Sequence, residues 1–189
     1  MRTFIALEVP RGDQQRIADY CAQLWQHDRR VKWVASDNYH LTLKFLGDTD
    51  PDQIILIKSC LQQVAQRTAA FYLSLPQMEH FYSRREHTIR VIYLAVAGEK
   101  NRAQALANDI SKSLAALGFA DKKQSMHLTL GRVRRNQTLD FWPRPSACLI
   151  TPPIRLVVRS FNLYRSFLTD AEPRYELIDR FMLSNQSSD

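Results

Sequence analysis

One tetrapeptide occurs twice in this chain: His40-Leu41-Thr42-Leu43 and His127-Leu128-Thr129-Leu130, 87 positions apart. A glycine follows each closely, Gly47 and Gly131, and apolar residues flank both. Alternate side chains of an extended strand share a face. Each copy therefore predicts a strand with two leucines packed on one side and an imidazole beside a hydroxyl on the other. Core packing alone would not ask twice for that polar pair. Two such strands facing each other across a cleft bring two imidazoles and two hydroxyls to one point. That is equipment for acid–base chemistry on an anion.

The elements around the repeats rhyme as well. Thr3 to Val9 reads as a strand ended by Pro10-Arg11-Gly12-Asp13, and Gln14 to Gln26 as an amphipathic helix with Ile17, Tyr20, Cys21, Leu24 and Trp25 at helical spacing. Val31 to Val34 is a short apolar segment, and Tyr39 to Leu46 is the first motif strand. Asp50 and Pro51 supply a cap and a first-turn proline for a helix running to about Thr68. Phe71 to Met78 and Thr88 to Val96 are strand-like, Lys100 to Leu117 is helical with Gly118 as its stop, and Leu128 to Val133 is the second motif strand. Ile154 to Tyr164 and Tyr175 to Leu183 are late strands. Arg134 to Gln137 and Pro143 to Pro153 read as loops, and Ser184 to Asp189 as a frayed tail. Each half has strand, helix and motif strand in order. The expectation is an α+β fold over 1–189: a single domain of two pseudo-symmetric lobes, each an antiparallel sheet with helices packed outside, and an active-site cleft between them.

Charge narrows the partners. Of 189 residues, 26 are Lys or Arg against 19 acids, a net charge of +7, and 19 of those 26 are arginine. Arginine suits forked contacts to phosphate oxygens and stacking on bases, although a generally basic surface that aids solubility is as good an account of charge alone. Cys21, Cys60 and Cys148 show no CxxC spacing and read as core residues of a cytoplasmic protein without a disulfide framework. The apolar run at the N-terminus is too short for a signal peptide, and no window approaches a membrane span.

A histidine pair suits in-line cleavage of a phosphodiester, one imidazole taking a proton from water and the other giving one to the departing oxygen. Thr42 and Thr129 are placed to donate hydrogen bonds to the non-bridging oxygens. By alternation Lys44 shares the face of His40 and Thr42 and adds positive charge. The same parity puts Phe45 with Leu41 and Leu43 in the core, stacking on a terminal base being its alternative role. It also puts Arg132 on the leucine face unless the strand ends or bulges there. Trp33 reads as a packing residue. Arg84, Arg85, Arg134 and Arg135 are candidate contacts to substrate phosphates, solvated loops being the alternative, and His27, His80 and His87 read as surface residues. Neither motif has HExxH or an acid cluster beside it, so neither a metal nor a cofactor is expected. No GxSxG elbow accompanies them.

The segments Phe4-Ile5-Ala6-Leu7, Val31-Lys32-Trp33-Val34, His40 to Gly47 and His127 to Val133 together resemble the two-histidine (2H) phosphoesterase superfamily. The likeness is greatest to the bacterial RNA 2′,3′-cyclic phosphodiesterases, also called 2′-5′ RNA ligases, and spans nearly the whole chain. It implies metal-free opening of RNA 2′,3′-cyclic phosphate ends to 2′-phosphates, with reversible, ATP-independent 2′-5′ joining of RNA ends such as tRNA halves. It implies His40 as proton donor to O3′ and His127 as proton acceptor from water, and an arginine at position 132 that contacts substrate. From the residues themselves either histidine fits either role. The partner expected is RNA, with no membrane and no obligate protein partner. An RNA-binding module with a vestigial site, or a phosphodiesterase of small cyclic nucleotides, is the alternative function.

Overall fold

The run Phe4-Ile5-Ala6-Leu7 is buried on both faces and lies in the middle of the first lobe. Its strand, β1 (Arg2–Glu8), pairs antiparallel with β3 (His40–Asp48) on one side and with β9 (Ser160–Phe167) on the other, and β10 (Arg174–Met182) lies beside β9. The computed structural model describes residues 1–25, 28–119, 125–140, 142–167 and 173–184. In it the second lobe forms around β7 (Leu128–Val133), flanked by β2 (Val31–Trp33) and β5 (Thr88–Leu94). Beyond β5 lies β4 (Phe71–Ser83), which also pairs with β6 (Ala97–Gly98) and β8 (Leu149–Val158).

The two motif strands, β3 and β7, meet at one pair, Leu41 opposite Leu128. That rung joins the strands into one open antiparallel sheet, with one lobe on either side of it. His40 and His127 each stand one residue before the joined leucines. The expected internal rhyme is present: β1, α1 (Arg11–Trp25) and β3 in one lobe match β5, α3 (Lys100–Ala115) and β7 in the other, and in each the first strand pairs with the motif strand.

Leu41, Leu43, Leu128 and Leu130 are 4% exposed or less and join one core with the helices. α2 (Ile54–Arg67) presents Ile57, Leu61, Val64 and Ala65 to it, and α3 presents Ala103, Leu106, Ala107, Ile110 and Leu114. Both sets recur at three- and four-residue spacing along one stripe. α2 packs on α3 and β10, and α3 on β3. Asp50 caps the approach to α2 as expected: its carboxylate accepts from the Asp52 amide at 3.0 Å, and the Gln53 side chain answers with a bond to the Asp50 amide. Gly118, at φ +88, ends α3.

Three expectations are corrected. α1 begins at Arg11, three residues early, because the Pro10 carbonyl already accepts the Gln14 amide. Part of the expected loop from Pro143 to Pro153 is strand. β8 begins at Leu149 and pairs with β4 there and again from Ile154 onward; Pro152 and Pro153 fall in the register break between, where residues that cannot donate are tolerated. Ser184 is not frayed: its amide bonds to the Thr68 carbonyl and its carbonyl accepts from Ala70, whereas 185–189 lie outside the described residues. Cys21 and Cys148 are buried and Cys60 half-buried, all as free thiols. No described helix is long and apolar enough to cross a membrane.

Candidate active site

His40 opens β3, and the pairing with β1 fixes which side chains share its face. Glu8 lies opposite His40, Ala6 opposite Thr42 and Phe4 opposite Phe45, with a register jump that leaves Leu43 without a partner residue. An extra residue of this kind is a bulge, and it reverses the side-chain alternation beyond it. Lys44 therefore turns to the helices. It is 4% exposed, and its Nζ donates to Ser111 Oγ on α3 at 3.1 Å. Phe45 turns to the cleft and is 58% exposed. Both expectations from strict alternation are reversed: Lys44 supplies no charge to the cleft face, and Phe45 is not core.

The second motif repeats the device. Tyr93 lies opposite Thr129, Ile92 opposite Gly131 and Val91 opposite Arg132, leaving Leu130 as the extra residue. The bulge brings Arg132 round to the face of His127 and Thr129. Gly131, the counterpart of Lys44, is buried beneath Trp33. Two bulges at the fourth position of two identical motifs thus deliver unlike residues, Phe45 and Arg132, to the two walls of one cleft.

That cleft holds a cavity of about 400 Å³ lined by His40, Thr42, Phe45, His127, Thr129 and Arg132, with Lys32, Trp33, Asn38, Ser125 and Tyr175 among the other lining residues. Each histidine is oriented in the same way. His40 Nδ1 lies 2.7 Å from the Asn38 carbonyl, and His127 Nδ1 lies 2.7 Å from the Ser125 carbonyl. A carbonyl oxygen only accepts, so in both rings Nδ1 carries the hydrogen, and Nε2 is left to hold or receive the working proton. Aromatic rings brace both: Phe4 and Tyr175 stand 4.9 and 5.3 Å from His40, and Phe81 and Tyr93 stand 5.1 and 5.2 Å from His127. Desolvation pushes both imidazoles below their ordinary pKa, against the opposing pull of each carbonyl bond. Further lowering comes from the charge of His127 on His40, and from that of Arg132 on His127. In the unliganded protein both rings thus favour the neutral form near pH 7.

The other residues singled out in the sequence lie elsewhere, Trp33 excepted. Arg84 and Arg85 are exposed in the β4–β5 turn, and Arg134 and Arg135 are exposed just past β7, with Arg134 Nε donating to the Arg29 carbonyl. Trp33 packs over Gly131 and also walls the cavity, its Nε1 donating to the Asp28 carbonyl at 3.2 Å. His87 is an exposed turn residue, His80 is half-buried against Trp142 at 4.3 Å, and His27 lies outside the described residues. Among the described residues no three His, Cys, Asp or Glu side chains group as metal ligands. Sequence reasoning missed Tyr175, which reaches the cleft from β10 with no motif to mark it. It also missed Asn38 and Ser125, which hold the histidines through backbone carbonyls two positions before each ring and so leave no signal in residue type.

A family model described as LigT like phosphoesterase matches residues 7–93. The chain is 30% identical over 179 residues to an RNA 2′,3′-cyclic phosphodiesterase of Thermotoga maritima, across 94% of this chain and 93% of that protein. It is likewise 30% identical over 179 residues to an RNA 2′,3′-cyclic phosphodiesterase of Archaeoglobus fulgidus, across 93% of this chain and 97% of that one. A solved structure from Thermus thermophilus superposes with a TM-score of 0.77 at 25% identity, over 97% of this chain and 98% of that chain.

Proposed function

This chain belongs to the LigT-like phosphoesterase family, and from that premise we propose that it is an RNA 2′,3′-cyclic phosphodiesterase working by His/His acid–base catalysis. The observation that carries the mechanism is the matched pair of imidazoles, each with Nδ1 on a backbone carbonyl and both lining one cavity with two threonines. Water attacks phosphorus in line with O3′ and gives its proton to His127 Nε2. The P–O3′ bond breaks, O3′ takes the proton from His40 Nε2, and a 2′-phosphate remains. Thr42 and Thr129 donate to the non-bridging oxygens as charge builds on them, and Arg132 offsets that charge from the same side as His127. The resting pair favours the neutral form, and the anionic substrate raises its proton affinity. Substrate therefore helps recruit the one proton that the reaction needs.

Replacing water with a 5′-hydroxyl turns the same steps into ATP-independent 2′-5′ joining, and the reverse of joining swaps the two proton roles. RNA ends such as tRNA halves fit this chemistry, and the net charge of +7 favours such a polyanion. The free thiols of Cys21, Cys60 and Cys148 fit a reducing, cytoplasmic setting. The test is a 2′,3′-cyclic mononucleotide incubated with excess EDTA. The expected product is the 2′-phosphate, with rate unchanged by the chelator. A 3′-phosphate product, or activity restored only by a divalent ion, contradicts the mechanism. Oligonucleotide binding without turnover makes the protein an RNA-binding module instead.

A further inference from the structure

Beyond His127 the sheet of the second lobe continues, and its strand pairs set Lys32, Arg132, Val91 and Phe81 in one row across β2, β7, β5 and β4. Lys32 and Arg132 are exposed at the rim of the catalytic cavity, which both line, and Phe81, outside that lining, is 37% exposed. Phe81 stacks on Tyr93 at 4.3 Å with 28° between the rings, and stands at 87° to the His127 ring. The carboxylate on this face, Glu79, accepts from the Tyr93 hydroxyl at 2.9 Å and from the Gln77 amide at 2.7 Å. Burial and that bond push the Tyr93 phenol up to about 12, so the ring under Phe81 stays neutral and fixed. Arg84 and Arg85 lie in the turn just beyond Phe81. An open sheet face with a braced aromatic ring, flanked by cations, is a stacking platform for single-stranded nucleic acid.

We propose, resting on the histidine roles given above, that this row seats a second nucleotide, the one whose 5′-oxygen is exchanged at phosphorus. His127 is the group that handles the nucleophile's proton, so the nucleophile arrives from the Phe81 side. In joining, the 5′-oxygen of this nucleotide bonds to phosphorus and passes its proton to His127, while P–O3′ breaks and O3′ takes a proton from His40. In the reverse reaction O3′ attacks and gives its proton to His40. The P–O5′ bond then breaks and O5′ leaves with a proton from His127. The base of the second nucleotide stacks on Phe81, and the cations on either side attract its phosphates.

The test compares two reactions of the whole protein: hydrolysis of adenosine 2′,3′-cyclic phosphate, and cleavage of a 2′-5′-linked adenylyl dinucleotide, which needs the second seat. Phe81→Leu removes the ring but keeps an apolar side chain against His127, and Phe81→Trp keeps a stacking surface. Loss of a stacked base is expected to lower kcat/KM for the dinucleotide about ten-fold, at least three times the change in cyclic phosphate hydrolysis on the same stacking argument, with recovery in Phe81→Trp. Equal losses on both substrates would mean that Phe81 only packs on His127, and would overturn the proposal. So would an unaffected dinucleotide reaction, or a wild type that hydrolyses the cyclic phosphate yet neither cleaves nor makes a 2′-5′ link. A wild type inactive on the cyclic phosphate itself overturns the proposed function, and this second seat with it.

Discussion

A methyl group at Gly131 tests the packing that holds the cleft open on the Arg132 side. A Cβ built there lies 2.6 Å from Val31 Cγ1, and 3.1 and 3.4 Å from Cε3 and Cζ3 of Trp33. Carbon atoms in ordinary contact sit about 3.5–4.0 Å apart, so both neighbours must move. Val31 is 2% exposed and β-branched, with little freedom to rotate away, and Trp33 is tethered by its bond to the Asp28 carbonyl. Overpacking of this kind costs about 1–3 kcal/mol. At about 2 kcal/mol, a chain of this length loses roughly 4–8 °C of Tm. Trp33 walls the cavity, so KM for a cyclic mononucleotide rises as well. Val31→Ala removes the atom at 2.6 Å, and the double variant should be less destabilised than the sum of the singles by about 1 kcal/mol. Scanning calorimetry of the four proteins measures this. A Gly131→Ala protein with wild-type Tm, or strictly additive effects in the double variant, would refute the reasoning.

Three further outcomes are expected. Both imidazoles are held low by desolvation, so the proton needed by the acid is lost as pH rises through those lowered values. The pH profile of kcat/KM, which reports the free enzyme, is a bell centred below about pH 6.5. The kcat profile lies at higher pH because the bound anion favours the proton, and a kcat/KM maximum well above neutrality contradicts this. Thr42→Val and Thr129→Val keep the shape but remove the hydroxyl, and each lowers kcat more than it raises KM; steady-state kinetics showing only a KM change would remove the threonines from the transition state. Raising salt weakens kcat/KM for an oligonucleotide more steeply than for a cyclic mononucleotide, because only the former releases counterions along its phosphates. Equal slopes would point to a small nucleotide as substrate.

The sequence carries the faces of His40, Thr42, His127 and Thr129, because two-residue alternation is a local property of a strand. It does not carry the bulges at Leu43 and Leu130. A bulge is a mismatch in count between a strand and its partner, and the partners here are β1 and β5. Lys44 and Phe45 therefore exchange faces relative to simple parity, while Arg132 gains the cleft. Tyr175 is invisible for a related reason: its strand, β10, is joined to the motif strand β3 through the pairings of β9 and β1, which lie far apart in sequence. Asn38 and Ser125 act through backbone carbonyls, which every residue owns, so their type gave little warning. The prolines of β8 point the opposite way, towards a loop, because a register break in a strand needs no donor and accepts them.

The central claim is that His40 and His127 act as one proton-transferring unit. The most direct measurement is kcat for a 2′,3′-cyclic mononucleotide in His40→Ala, His127→Ala and the double variant, with folding checked by circular dichroism. Each single substitution is expected to lower kcat by about 10²-fold or more, and the double variant to be little worse than either single. Near-normal turnover in either single variant, or losses that multiply in the double, would contradict it.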